Sequence, residues 1–584
     1  MLNQNDKKGL FNRIRLHQKA KVVKTARILP PWLPRFRKWL YGLAFVALLF
    51  LIVESGMQYR LPPVLVVIST AIDYLVFGLF LFDACLTFYF SLPRIRYFQT
   101  NWMDFLVFLP LVLNVVTIRT GVGLIVIRNL LILAKVFTRS RKFSNLVHGV
   151  RLNTAQIVAM SFLATILIGT LLLTFPTATV DGKGASFIDA LFTSTSATCV
   201  TGLIVQDTPT YFSTFGQIVI LVLIQLGGLG IMTYSAFVAL LLGRFGLGQR
   251  KMMQEMFEED RNVLSMIFYI FKMTLIIEGV GMVLLFVRWI FHFDDVGQAL
   301  YFSLFHSISA FCNAGFSLFS DSLMGFMSDP SVNVIIVCLI LIGGIGFIVV
   351  HDITGVVRKT RRALSPHSKL VLYTSAFLIV VGFFIIFFFE FDKALLGTSL
   401  PTKIWAVLFQ SVTPRTAGFN TLDIASLSRV TLTVIIILMF IGASPGSTGG
   451  GIKTSTFAIL LLSIRSTLKS EASVEAFKRT IPISSVMKAI SLLVSVLILV
   501  AVIFFLLMIF EEKPYLDLLF ETVSAFGTVG LSTGITPHLS IGGKILITLL
   551  MYLGRIGPLT MGLALARSMR RGKIVYPDAR IMIG

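Results

Sequence analysis

Leu191-Phe-Thr-Ser-Thr-Ser-Ala-Thr-Cys-Val-Thr-Gly202 occurs in altered form three more times along the chain. The counterparts are Leu304-Phe to Cys312-Asn-Ala-Gly315, Leu408-Phe to Arg415-Thr-Ala-Gly418, and Leu519-Phe to Gly527-Thr-Val-Gly530. From the Phe to the closing Gly the distances are 10, 10, 9 and 10 residues. A second block follows each: Leu226-Gly-Gly-Leu-Gly230, Ile342-Gly-Gly-Ile-Gly346, Ile441-Gly-Ala443 resumed at Gly451, and Leu553-Gly-Arg-Ile-Gly557. The second-block glycine lies 25, 28, 24 and 24 residues beyond the first. Two blocks at matched offsets in four copies define a fourfold internal repeat of about a hundred residues.

The solvent around these repeats is lipid. The 584 residues are 56% hydrophobic and only 14% charged, with a mean hydropathy of +0.87, whereas soluble domains carry roughly 25% charged residues. Apolar runs at 40–53, 157–175, 334–350 and 491–510 are each expected to cross a bilayer. The polar, basic residues 1–38 do not read as a cleavable signal. A net charge of +23 would suit nucleic acid, but the basic residues sit in short stretches between apolar runs, as the positive-inside rule requires, so no nucleic-acid partner is expected. This puts both termini in the cytoplasm of a multi-pass protein of the plasma (inner) membrane. Acids such as Asp207, Asp321 and Asp423 fall in the opposite loops, which makes the outer mouth attractive to cations. Cys85, Cys199, Cys312 and Cys338 have neither metal-ligand spacing nor close His neighbours. With no nucleophile motif or paired catalytic carboxylates either, an enzyme is not expected.

Each repeat reads as a spanning helix, a helix too short to span, a glycine-bearing turn and a second spanning helix. The short helices, 187–197 in the first repeat and 516–525 in the fourth, would cover about 15–17 Å at 1.5 Å per residue, half the hydrocarbon core. They must re-enter, and irregular backbone at that depth is tolerated where it lines a water-filled path. The expected fold is all-α and integral to the membrane, with four helix, pore helix, filter, helix repeats around a pseudo-fourfold pore. An N-terminal four-helix membrane domain precedes them. A dehydrated monovalent cation needs several oxygen ligands, and glycine permits the backbone turn that brings carbonyls to one axis. The candidate filter is Thr198, Cys199, Val200, Thr201 and Gly202; Cys312, Asn313, Ala314 and Gly315; Arg415, Thr416, Ala417 and Gly418; and Gly527, Thr528, Val529 and Gly530. The cation is assigned to Gly202, Gly315, Gly418 and Gly530. The glycines of the second block suit close helix packing instead.

Two departures from fourfold symmetry lie at one level. The third repeat spans eight residues from 443 to 451 where the first spans two from 228 to 230, an insertion of six within Gly442-Ala-Ser-Pro-Gly-Ser-Thr-Gly-Gly-Gly451. The fourth repeat has Arg555 where the others have Gly228, Gly344 and Ala443. An arginine at mid-membrane costs on the order of 3 kcal/mol and marks a pathway. The free carbonyls and hydroxyls of the insertion are its expected partners. The candidate gate is Gly442, Ser444, Gly446, Ser447, Thr448, Gly449, Gly450, Gly451, Lys453 and Arg555. A phosphate-cradle reading fails, because the glycines lack P-loop spacing and no strand precedes them. Gln225, Glu278, His306 and Glu521, polar within apolar stretches, are expected to hydrogen-bond pore loops to their neighbours.

At these residues the chain resembles the Trk/Ktr/HKT superfamily of cation transporters, from about Asn153 onward. The motifs are Ala-Thr-Cys-Val-Thr-Gly-Leu (197–203), Asn-Ala-Gly-Phe (313–316), Arg-Thr-Ala-Gly-Phe (415–419), Pro-Gly-Ser-Thr-Gly-Gly-Gly-Ile-Lys-Thr (445–454) and Gly-Arg-Ile-Gly-Pro (554–558). The resemblance implies potassium uptake, with potassium preference carried by four filter glycines and Gly202 the decisive one. It also implies a homodimer with a pore in each protomer, a cytosolic nucleotide-binding regulatory subunit, and no cofactor in this chain beyond the K+ it binds and transports. A sodium-selective or Na+/H+-coupled symporter is the alternative. The expected organisation is a basic tail (1–38), a transmembrane accessory domain (39–150), pore repeats at 151–250, 251–366, 367–480 and 481–570, and a C-terminal tail (571–584) that resembles Ktr-type termini at a dimer interface. In the accessory domain Asp73, Asp83 and Asp104 with Arg119 and Arg128 resemble a voltage sensor. It is a degenerate one, because Val122, Ile125, Leu131 and Ala134 occupy places where a sensor repeats arginine, and Lys135 is off the series.

Overall fold

A computed structural model describes residues 154–229 and 263–557, with isolated positions within 32–43 and 75–89 and residue 562. The chain divides into two compact units, residues 1–150 with Phe175–Thr177, and 151–174 with 178–584. In the first unit Asp83 is buried, and Phe36 meets Trp32 and Phe82 edge-on at 5.8 and 5.9 Å between ring centres. Asp73, Asp104, Arg119, Arg128, Lys135, Gly230 and the C-terminal tail lie outside the described residues.

The second unit is built of helices in four similar sets. The first set is α1 (Thr154–Leu173), α2 (Phe187–Thr198) and α3 (Thr214–Gly228); the second is α4 (Val263–Trp289), α5 (Val296–Cys312) and α6 (Pro330–Ile345), with α7 (Phe347–Val357) behind it. The third is α8 (Pro366–Glu390), α9 (Leu400–Val412) and α10 (Arg429–Phe440), followed by α11 (Thr454–Leu468); the fourth is α12 (Ile483–Phe510), α13 (Tyr515–Gly527) and α14 (Ile541–Ile556). Ala155–Leu173, Phe268–Trp289, Pro366–Glu390 and Ile483–Phe510 are each long and apolar enough to cross a membrane. They are apolar on every face. Leu167, Leu171, Phe384, Phe388, Leu497 and Phe505 point outward, an arrangement that suits lipid contact rather than water. Helix starts are set locally: the side chains of Ser186, Ser213, Asp295, Asp329, Ser365, Ser399, Ser428 and Ser540 each accept a backbone N–H of the helix they open.

The second helices of the third and fourth sets receive a further cap from the helix before the pore helix. Glu390, at the end of α8, accepts the Ser428 N–H at 3.0 Å and the hydroxyls of Ser428 and Thr431 at 2.7 and 2.5 Å. Glu511, just after α12, accepts the Ser540 N–H and hydroxyl at 2.8 and 2.7 Å. A carboxylate there lies at the partly positive start of the next helix.

The sets close on themselves. One apolar core joins the first two sets to Phe409, Val412, Ala417 and Phe419 of the third. The other runs from the third and fourth back to Ile166, Phe192 and Cys199 of the first. Lys544 on α14 pairs with Asp189 on α2 at 2.7 Å, tying the last set to the first.

Three expectations need correction. The run 334–350 is not one span: α6 and α7 meet at a bend of 102° around Gly346, whose φ is +92°. Nor is interruption confined to the third repeat, because α14 also ends at this level on Gly557, with φ +88°. The physical reason in the second set is an exchange of hydrogen bonds. The Gly344 and Gly343 carbonyls accept the N–H groups of Ser444 (3.0 Å) and Thr448 (3.3 Å), and the Phe347 N–H is taken by the Gly446 carbonyl at 2.9 Å. The short helices are also longer than read, at 12 to 17 residues, about 18–26 Å, still short of the roughly 30 Å core.

Glu390→Ala removes the carboxylate acceptor that three donors share, a loss of about 1–3 kcal/mol. The expected result is an earlier thermal unfolding midpoint in detergent, with Glu390→Gln retaining most of the stability; equal midpoints for Ala and wild type would contradict the capping role.

Candidate functional site: a ring of four loops

Each short helix runs into its loop through the same local turn. The N–H groups of Thr201, Ala314, Ala417 and Val529 return to the carbonyls of Ser196, Ser309, Thr413 and Ser524 at 2.7, 2.8, 3.0 and 2.9 Å. Two residues before each closing glycine the backbone is left-handed, with φ of 56° at Val200, 60° at Asn313, 71° at Thr416 and 50° at Thr528. The glycines follow at 92°, 70°, 78° and 92°. Alternating these with one ordinary residue prevents the strand from pointing successive carbonyls to opposite sides. Sequence reading had placed the unusual dihedral on the glycine alone. The β-branched Val200, Thr416 and Thr528 in this conformation are a strain of on the order of 1–3 kcal/mol each, the kind held at functional sites.

The four glycines touch in chain order. A Cβ on Gly202 would collide with the Ala314 carbonyl; on Gly315 it would lie 2.8 Å from Gly418 Cα; on Gly418, 2.6 Å from the Val529 carbonyl; and on Gly530, against the Thr201 carbonyl. The carbonyl preceding each glycine thus abuts the glycine of the loop before it, and the ring closes. All four glycines line one cavity of ≈ 300 Å³, together with Asp207, Asp321 and Asp423. The hydroxyl oxygens of Thr198, Thr201, Thr416 and Thr528 are buried without a partner among the described residues. Buried unsatisfied oxygens around a path are what a bare cation would coordinate.

Other expected residues fall around the ring in different roles. Cys312 and Gly527 are the last residues of their helices. Arg415 turns away from the ring and donates to Ser375 on α8 at 2.9 Å. Gln225 donates to Glu278 at 3.2 Å, and the Cys312 thiol lies 3.7 Å from the same carboxyl group. The second-block glycines pack as close contacts: a Cβ on Gly227, Gly343 or Gly554 would strike the carbonyl of Thr198, Phe311 or Phe526. A set of braces escaped sequence reading. Ser196 and Ser524 accept the Gly202 and Gly530 N–H groups at 3.1 and 3.2 Å, while Ser309 and Thr413 donate to the Phe316 and Phe419 carbonyls at 2.7 and 2.5 Å. The available signal was a Ser or Thr six residues before the glycine, five in the shorter third loop.

Beneath the ring lies the 442–451 segment. Its ends pair, Ile441 with Ile452, and Lys453 closes it by donating to the Gly449 carbonyl at 2.6 Å. Ser447 bonds back to the Ser444 carbonyl at 2.6 Å. The segment sits directly against the filter loops: a Cβ on Gly449 would meet the Thr416 hydroxyl, one on Gly450 the Thr528 hydroxyl, and one on Gly451 would lie 3.4 Å from Gly527 Cα. Arg555 is buried; it donates to the Thr448 carbonyl in this segment and, at 2.5 Å, to the Gly227 carbonyl in the first repeat. The insertion is therefore one of its two partners. The other is the end of α3.

Gly530→Ala forces a methyl group against the Thr201 carbonyl in a left-handed conformation, and monovalent-cation flux in proteoliposomes is expected to fall at least about tenfold while the protein still accumulates in the membrane. Wild-type flux would mean the ring is not closed at this point.

Comparison with known proteins places the chain in a family. A family model described as TrkH, cation transport protein, matches residues 124–576. The chain is 42% identical over 444 residues to the Ktr system potassium uptake protein B of Bacillus subtilis, covering 74% of this chain and 98% of that protein. It is 38% identical over 444 residues to the potassium/sodium uptake protein NtpJ of Enterococcus hirae, again covering 74% and 98%. The crystal structure of the potassium transporter TrkH from Vibrio parahaemolyticus shares the fold, with a TM-score of 0.62 at 19% identity over 81% of this chain and 97% of that one. The chain belongs to the TrkH family: it is a multi-pass membrane cation transport protein and not an enzyme.

Proposed function

We propose that this protein takes up potassium across the plasma membrane through the ring of Gly202, Gly315, Gly418 and Gly530. The observation that carries the reading is the closed contact of four left-handed glycines at the floor of one cavity. Backbone carbonyls set at that spacing replace the hydration shell of a monovalent cation, and the acids above them concentrate it. Relatives named for potassium uptake, at 42 and 39% identity, support the choice of ion. The glycine at 202 keeps the first loop like the other three. The relative named for potassium/sodium uptake favours a second reading, in which sodium is also carried. Flux of each ion into proteoliposomes, with reversal potentials at varied gradients, separates the two and tests for Na+ or H+ coupling; a clear preference for sodium would overturn the potassium assignment.

The 442–451 segment acts as the gate. It narrows the path below the ring, and Arg555 both repels a resting cation and ties the segment to α3 through two charge-assisted hydrogen bonds. The protein works as a homodimer with both termini in the cytoplasm, where a separate nucleotide-binding chain regulates it; this part of the reading follows from the family. Removing the tie frees the segment. Arg555→Ala, or deletion within 444–450, is expected to raise potassium flux several-fold in the same assay, and unchanged flux in both variants would refute the gate.

A further inference from the structure

The residue after each Leu-Phe pair is Thr193, His306, Gln410 or Glu521, and all four are buried at or near 0% exposure, at equivalent places on the four short helices. They behave in two ways. In the second loop His306 Nδ1 faces the Phe302 carbonyl at 2.8 Å, which can only accept, so that nitrogen carries the proton. Nε2 is then an acceptor, and it meets the Ser317 hydroxyl at 3.0 Å and the Leu318 N–H at 3.4 Å. In the fourth loop the Glu521 carboxylate accepts the Ser532 hydroxyl and, at 3.0 Å, the Thr536 hydroxyl. Ser317 and Ser532 both stand two residues beyond their ring glycines. An imidazole and a carboxylate thus bond the hydroxyl at the same position of the outgoing strand.

The other two loops lack this connection. The Thr193 hydroxyl and both polar atoms of the Gln410 amide have no partner among the described residues. The residues two beyond the glycine are Ile204 and Asn420, and Asn420 turns to the Leu422 carbonyl instead, at 3.0 Å. All four of these positions, Ile204, Ser317, Asn420 and Ser532, line the cavity above the ring. Because the glycines touch in the order 202, 315, 418, 530 and back to 202, the braced second and fourth loops face each other across the path.

We propose that His306 and Glu521 are positioning residues that clamp the outgoing strands of these two opposed loops, fixing the span across the ring and hence its discrimination between potassium and sodium. The ring is held rigidly along one diagonal and less so along the other. His306 Nε2 accepts the Leu318 N–H only while the ring is neutral. Trp289, Phe302, Phe305, Phe319 and Phe419 surround it with aromatic rings, centres 4.9 to 6.3 Å away, and no charged side chain makes a contact with it among the described residues. The inference rests on the potassium-selective reading given above.

The test is the ratio of potassium to sodium uptake in proteoliposomes for Ser317→Ala and Ser532→Ala, which remove the clamped hydroxyl and leave the helices and ring intact. Each is expected to lower the ratio about fivefold with potassium uptake largely kept, Ser317→Thr and Ser532→Thr to restore it to within twofold, and Thr193→Val and Gln410→Leu to leave it within twofold of wild type. Unchanged ratios in both alanine variants, or an equal fall in Thr193→Val, would overturn the proposal. Absence of potassium preference in the wild type would refute the functional reading instead. A measurement that needs no variant is amide hydrogen exchange: the Leu318 amide, bonded to His306, is expected to exchange more slowly than Val205 and Thr421 at the same places in the first and third loops, and equal exchange would also overturn the clamp.

Discussion

A peptide group inside a bilayer has no water to bond to, so any helix that stops there must find partners for its freed N–H and C=O groups within the protein. The whole pore region is organised by that demand. Four helices stop halfway to make room for a path, and their loops recover the lost bonds by turning back on their own last carbonyls and on Ser196, Ser309, Thr413 and Ser524. Among the hydroxyls left without a partner are those of Thr198, Thr201, Thr416 and Thr528 at the ring.

The same demand couples the break in α6–α7 to the insertion after α10. A broken helix alone would leave Gly343 and Gly344 carbonyls orphaned, and a glycine-rich loop alone would leave its own N–H groups orphaned. Each supplies the other's partners. Arg555 completes the exchange from a third direction by saturating the Thr448 and Gly227 carbonyls. The desolvation of the buried guanidinium is offset by the two carbonyls it reaches. The 442–451 segment and the broken helices are therefore held as one structure, and moving the segment must disturb hydrogen bonds to α3 and α6.

The four loops share one left-handed backbone turn, but the side chains around them differ. The ring needs only glycine, so four loops with little else in common build it. Chemistry that must occur once, the arginine and the insertion, sits on single repeats. Bracing appears on two opposed ones. The sequence match to the Bacillus subtilis relative covers nearly all of that protein but only 74% of this chain, and the family model begins at residue 124. Most of the N-terminal region therefore stands beyond the shared transport machinery.

Periodic features were legible in the chain because they recur at constant offsets and because lipid leaves little choice of element. An apolar run becomes a helix, a run too short to span must re-enter, and a glycine repeated four times at the same distance from Leu-Phe marks one backbone conformation. Arginine in an apolar helix announced itself by its cost. What pairs with what was not legible. Arg555 reaches Gly227, 328 residues away, and Ser444 bonds to the helix end at Gly344; no local pattern encodes such partners. The apolar stretch 334–350 reads as a continuous span, and only the hydrogen bonds offered by another repeat make its break at Gly346 affordable. The left-handed Val200, Thr416 and Thr528 contradict their own propensities and are set by closure of the ring. Sequence alone determined that the chain is helical and lies in a membrane and that one glycine-bearing loop recurs four times, since these follow from local composition and repetition. The tertiary structure decided how they are held, because a hydrogen bond denied by lipid is satisfied by whichever distant carbonyl or hydroxyl the fold brings within 3 Å.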